Sequence, residues 1–164
     1  MNTLSDYESL YQELAKELQK EKWFSNSWQT QAGFYPNAQQ PKSVFIQLFR
    51  DTWFNEEGKG IHFESWMTNA DVKRGTTSVV IHIESSKART GINGKTLVKN
   101  LLGDVGSKIS DWEGYKLKET YTMQPFMKKM EISPENIVGN LQIEFNRLEG
   151  IADAVDSAII EAMK

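Results

Sequence analysis

The chain has 164 residues, 39% hydrophobic and 25% charged, with 11 Gly and 4 Pro, which fits a single globular domain over 1–164 with a sizeable core. It has no cysteine, which excludes disulfides, thiol nucleophiles and thiolate zinc sites. No apolar run approaches the ~18 residues of a membrane span, and the first residues lack a signal peptide's pattern, so a cytoplasmic protein with no membrane partner is expected.

The net charge of −3 is unevenly distributed. Residues 72–129 hold 11 basic and 5 acidic side chains, whereas 1–71 hold 6 and 10, and 130–164 hold 2 and 7. A basic middle either faces a polyanion or is neutralised by the acidic ends across the fold.

Thr3 to about Lys22 reads as an amphipathic helix, with Leu4, Tyr7, Leu10, Tyr11, Leu14, Ala15 and Leu18 at helical spacing and Ser5-x-x-Glu8 as a capping box. Residues 23–42 read as a long loop whose aromatics, Trp28, Phe34 and Tyr35, pin it to the body or bind a ligand. Ser43 to about Phe54 is predicted as a strand apolar on both faces, with Val44, Ile46 and Leu48 on one and Phe45, Phe49 and Trp53 on the other. The turn at 55–60 leads into a repeated phrase. Ile61-His62-Phe63-Glu64-Ser65 recurs as Ile81-His82-Ile83-Glu84-Ser85 and contains both histidines of the chain. Each copy alternates apolar and polar residues, as a half-buried strand does, and 69–76 reads as the hairpin connection between them.

A second helix is predicted over 94–109 with Asn93 as its cap and Leu97, Val98, Leu101, Leu102, Val105 and Ile109 as its buried stripe. A half-exposed fourth strand follows from Trp112 to about Met123. Ser133-Pro134-Glu135 is a helix start. Ile137, Leu141, Phe145, Leu148, Ala152, Val155, Ile159 and Ala162 then form one stripe, which predicts a single long C-terminal helix. That stripe covers the chain's own sheet or forms a homodimer seam through residues 134–163. The fold class is α+β, in the order α-β-β-β-α-β-α, with a mainly antiparallel sheet packed against helices.

Two sets of side chains suggest chemistry. Alternation puts Ile61, Phe63, Val79, Ile81 and Ile83 on one face, and so gathers His62, Glu64, His82 and Glu84 on the other. Two imidazoles and two carboxylates suit zinc, iron or manganese; otherwise they form ordinary cross-strand hydrogen bonds. The element order also resembles a degenerate PD-(D/E)XK nuclease core. That resemblance implies Glu64 and Glu84 on Mg²⁺, Lys87 near the scissile phosphate, and a nucleic-acid backbone along Lys73, Arg74, Arg89, Lys95 and Lys99. The sequence departs from the motif, since Glu84-Ser85-Ser86-Lys87 is one residue too long and no Pro-Asp pair precedes it. Gly91 to Thr96 falls short of a phosphate loop because Arg89 stands where the first glycine belongs. No complete catalytic set or cofactor fingerprint exists. The first reading is therefore a non-enzymatic module that binds a protein partner through its sheet face or C-terminal helix, with no cofactor; the alternative is a metal-dependent nuclease or phosphodiesterase.

Overall fold

In the computed structural model, which describes residues 2–35, 43–56, 59–84, 87–118 and 120–164, the first helix is α1, Leu4–Leu18. Its cap is Thr3, two residues before the predicted box: the Thr3 hydroxyl accepts from Asp6 N–H while the Asp6 carboxylate accepts from Thr3 N–H. The predicted stripe is its buried face, with Leu4, Tyr7, Tyr11, Leu14 and Leu18 all buried.

The sheet has six strands: β1 (Trp28–Phe34), β2 (Ser43–Arg50), β3 (Ile61–Thr68), β4 (Thr76–Ile83), β5 (Tyr115–Leu117) and β6 (Phe126–Glu131). Their spatial order is β1-β2-β3-β4-β6-β5 and every neighbouring pair is antiparallel. Two strands depart from the sequence reading. β1 lies inside the predicted loop, where Trp28, Thr30, Ala32 and Phe34 alternate with polar or small residues and pair with β2; positions 36–42 of that loop lie outside the described residues. β6 was not anticipated, because Phe126-Met127-Lys128-Lys129-Met130-Glu131 looks too charged for a central strand. The predicted fourth strand is reduced to β5.

β2 also ends earlier than expected. A single 3₁₀ turn, Asp51–Trp53, carries the Trp53 ring off the face of Phe45 and Phe49, to the opposite face, where it meets Phe63 edge-on at 5.1 Å. Phe54 then adopts a left-handed conformation (φ 55°) and Gly60 has φ 146°. A Cβ on Gly60 would lie 2.3 Å from the Phe54 carbonyl oxygen, so only glycine allows this loop to close so tightly. Glu57 and Gly58 of the predicted turn lie outside the described residues. The β3–β4 connection is a capped helical turn, α2 (Asn69–Arg74), closed by Gly75 in the left-handed region.

After β4 come a short turn of helix, α3 (Lys87–Thr90), and α4 (Gly94–Ser110), whose Asn93 side chain accepts from Thr96 N–H as expected. The C-terminal stripe is buried throughout, from Ile137 to Ala162, but it belongs to two helices, α5 (Ile137–Glu149) and α6 (Ala152–Ala162). The chain tightens between them, where Gly150 N–H and Ile151 N–H each bond three residues back. Because this stripe lies in the protein's own core, it is not free to serve as a homodimer seam.

Four helices cover one sheet face. Tyr11 of α1 bonds Ser65 and Thr77, Glu144 of α5 bonds Tyr115 and Lys128, α6 packs against Trp53, and α4 packs on α6 and β5. No helix among the described residues is long and apolar enough to cross a membrane.

Candidate metal centre

The opposite sheet face carries the polar half of the repeated phrase. In the β3–β4 register, Ile61 pairs with Ile83, His62 with His82, and Glu64 with Val80. Antiparallel copies of one phrase are related by a local two-fold axis through the matched histidines. The imidazoles therefore meet, while Glu64 and Glu84 lie on opposite sides of them, about 13 Å apart along the strands at ~3.4 Å per residue.

His62 is completely buried and Glu64 is 3% exposed. His62 Nε2 lies 3.4 Å from Glu64 Oε2 and 3.3 Å from His82 Nδ1, and His82 Nδ1 lies 3.9 Å from Glu64 Oε2. These three atoms converge on one point. The other ring nitrogen, His62 Nδ1, lies 2.8 Å from Asn55 Oδ1.

A relay of amides sets the hydrogen-bond polarity. Gln47, paired with Glu64 across the β2–β3 ladder, donates Nε2 to Glu64 Oε1 at 3.4 Å and accepts at Oε1 from Asn55 Nδ2 at 3.1 Å. Asn55 thus turns its carbonyl oxygen to His62, whose Nδ1 must carry the proton. That leaves the lone pair of His62 Nε2 facing Glu64 and His82. A histidine that donates one N–H to a carbonyl and offers the other nitrogen has the outer-shell arrangement found at metal sites.

Burial, aided by the negative charge of Glu84, raises the Glu64 carboxyl to a pKa of about 8. Burial, with a smaller contribution from His82, lowers His62 to about 3. His82 is also lowered by burial, against the opposing charge of Glu84. At neutral pH both His62 and Glu64 are therefore uncharged, and their 3.4 Å contact is not an ion pair. The site is a largely desolvated cluster of donors.

No family model, curated protein or solved structure matches this chain. Two nitrogens and one oxygen suit a zinc-class ion, for which bonds of about 2.0–2.2 Å put tetrahedral donors roughly 3.3–3.6 Å apart. The observed separations of 3.3, 3.4 and 3.9 Å are close to that spacing. The His82 side chain, 18% exposed, gives the site its contact with solvent.

The other predicted residues are placed differently. Glu84 is half-buried, its N–H bonded to Gly60 O at 2.9 Å, and among the described residues it is not part of the converging set. Lys87 is exposed at the start of α3, and Ser85 and Ser86 lie outside the described residues. The arrangement drawn from the nuclease resemblance is thus not gathered into one cluster. The predicted basic line is also divided. Lys73 and Arg74, on α2, sit at the start of β4, whereas Arg89, Lys95 and Lys99 lie beyond its other end. Arg89 donates to the Phe54 and Lys59 carbonyls and faces Glu56.

Sequence reasoning missed Gln47 and Asn55. Gln47 left a trace, as a polar residue in the otherwise apolar run Val44–Phe49. Asn55 left none, since asparagine in a turn is ordinary.

Proposed function

We propose that this protein is a metal-binding α+β module whose ligands for one zinc-class divalent ion are His62, Glu64 and His82, the Glu64 carboxyl releasing its proton as the ion binds. The observation that carries this reading is the convergence of three donor atoms in a largely buried cluster where Asn55 and Gln47 orient His62 and Glu64. It retains the sheet face as the binding surface and gives that face a partner, the ion. Three protein ligands leave a fourth position on the His82 side for water or an incoming donor.

The reading is tested by calorimetric titration of metal-free protein with Zn²⁺ and Co²⁺. One ion per chain is expected, with tetrahedral Co²⁺ absorption. Affinity should fall at least a hundredfold in His62→Ala and about 10–100-fold in Asn55→Ala, whose side chain only orients a ligand. No uptake, or uptake equal in wild type and His62→Ala, overturns the reading.

Metal-dependent phosphodiester cleavage is a second reading. It would draw on Glu84, a carboxylate on the same sheet face as Glu64 and about 13 Å from it along the strands. It requires Zn²⁺- or Mg²⁺-dependent turnover of an activated phosphodiester that Glu84→Gln abolishes without lowering metal uptake.

A further inference from the structure

Every strand of the sheet has a neighbour on both sides except β1 and β5, which form its edges. The two edges are unlike. β5 is three residues long and carries Lys116, with Lys118 directly beyond it; a short edge bearing lysine resists joining another strand. β1 runs for seven residues, Trp28–Phe34, without a charged residue or a proline. Its register with β2 is continuous, so no bulge bends it away.

The hydrogen bonds flanking the β1–β2 ladder show which backbone groups β1 leaves over. Asp51 N–H donates to Ser27 O at 3.0 Å and Tyr35 N–H to Ser43 O at 3.3 Å. Bonded pairs alternate along an antiparallel ladder, so the odd-numbered residues of β1 face β2. The N–H and C=O groups of Thr30, Ala32 and Phe34 therefore point the other way. Among the described residues, no backbone group meets them. We propose that this edge pairs with β1 of a second copy of the chain, antiparallel about a two-fold axis at Gln31, to join two sheets into one.

Centring the axis on Gln31 lets the whole strand pair. Thr30 then lies opposite Ala32 of the second copy and Trp28 opposite Phe34, and every member of these bonded pairs comes from the outward-facing set. Gln31 meets its own counterpart in a non-bonded pair, where side chains approach most closely. Gln31 is exposed, and a carboxamide both donates and accepts, so two copies complement each other where like charges would repel. Gln29 stands opposite Gly33, which leaves it room. A peptide of other chemistry finds less to recognise. β1 has no charge for an ionic strand, and an apolar strand would desolvate its exposed glutamines. β2 separates β1 from the strands carrying His62, Glu64 and His82, so this inference does not rest on metal binding.

The test is sedimentation equilibrium of the protein with a chelator present, which removes metal as a bridge. A reversible rise from one to two chain masses is expected below about 1 mM protein. Ala32→Pro removes an outward N–H and no bond to β2, and it should weaken the dimer at least tenfold. Gln31→Lys and Gln31→Glu should each weaken it at least fivefold by setting like charges face to face. An equal mixture of those two variants should dimerise again, which misfolded chains would not do. A single-chain mass at every concentration, the result if a different strand or none covers this edge, overturns the proposal. So do assemblies larger than a dimer, a dimer that Ala32→Pro leaves unchanged, and a Lys/Glu mixture no more associated than either variant alone.

Discussion

Glu64 and His62 are buried side by side in forms that resist charging, and this makes the metal-free protein sensitive to pH. The folded-state pKa of Glu64, about 8, lies above its ordinary 4.5. Its contribution is therefore complete below pH 4.5 and is lost as pH rises through 8. His62, lowered from 6.5 to about 3, acts in the opposite sense: its contribution is present above pH 6.5 and is lost as pH falls towards 3. Between 4.5 and 6.5 the two slopes oppose each other; above 6.5 only that of Glu64 remains. Urea unfolding of the metal-free protein should show stability falling between pH 6.5 and 8, by roughly 2 kcal/mol at 1.36 kcal/mol per pH unit. Glu64→Gln should remove that slope, and a slope unchanged in the variant would show that Glu64 is not its source. The placement of these residues on a common face was legible in the alternation of Ile61-His62-Phe63-Glu64. Which of them meet was not, because that depends on the strand register and on a loop folded tightly enough to bring Asn55 against His62.

At the scale of elements, the C-terminal stripe shows how far periodicity can be trusted. Each of its eight positions is buried, although the helix is interrupted at Gly150–Ile151. The stripe survives because the two segments present their apolar sides to the same core. Phe145 is fully buried while Ile143, two residues away, is 59% exposed. Phe145→Ala should cost about 3–5 kcal/mol through the cavity it leaves, and Ile143→Ala within about 0.5 kcal/mol. Chemical denaturation of the two variants makes the comparison, and equal losses would contradict the assigned helix face. The strands were harder to read. β1 is half-exposed and rich in glutamine, and β6 carries two lysines, so neither has an apolar run; both are strands because a neighbour supplies their hydrogen bonds.

Across the whole molecule, the uneven charge along the chain is partly cancelled by folding. Arg50 pairs with Asp153 and Asp156 of α6, and Lys128 of the basic middle segment reaches Glu144 of the acidic end at 2.7 Å. Glu144, only 4% exposed, also accepts from the Tyr115 hydroxyl at 2.8 Å and lies 3.4 Å from Arg147. This cluster fastens α5 to the β5–β6 edge. Removing its one anion would leave Lys128 largely buried without a countercharge, so Glu144→Ala should cost about 3–5 kcal/mol in thermal or urea unfolding. Glu144→Ala combined with Lys128→Met should recover much of that loss, since an apolar side chain of similar length leaves no buried charge; a double variant no more stable than the single one would argue against the pair.

The sequence by itself determined the α+β class, the buried face of each long helix and the segregation of polar from apolar residues in the repeated phrase. These are local periodicities of 3.6 and 2, and burial has only to follow them. Tertiary structure decided which strands pair, and so which side chains meet. Antiparallel pairing of the repeated phrase brings His62 to His82 and carries Glu84 away from Glu64. The fold then adds Gln47 and Asn55 from outside the repeat, because hydrogen-bond partners are chosen by distance in space rather than along the chain.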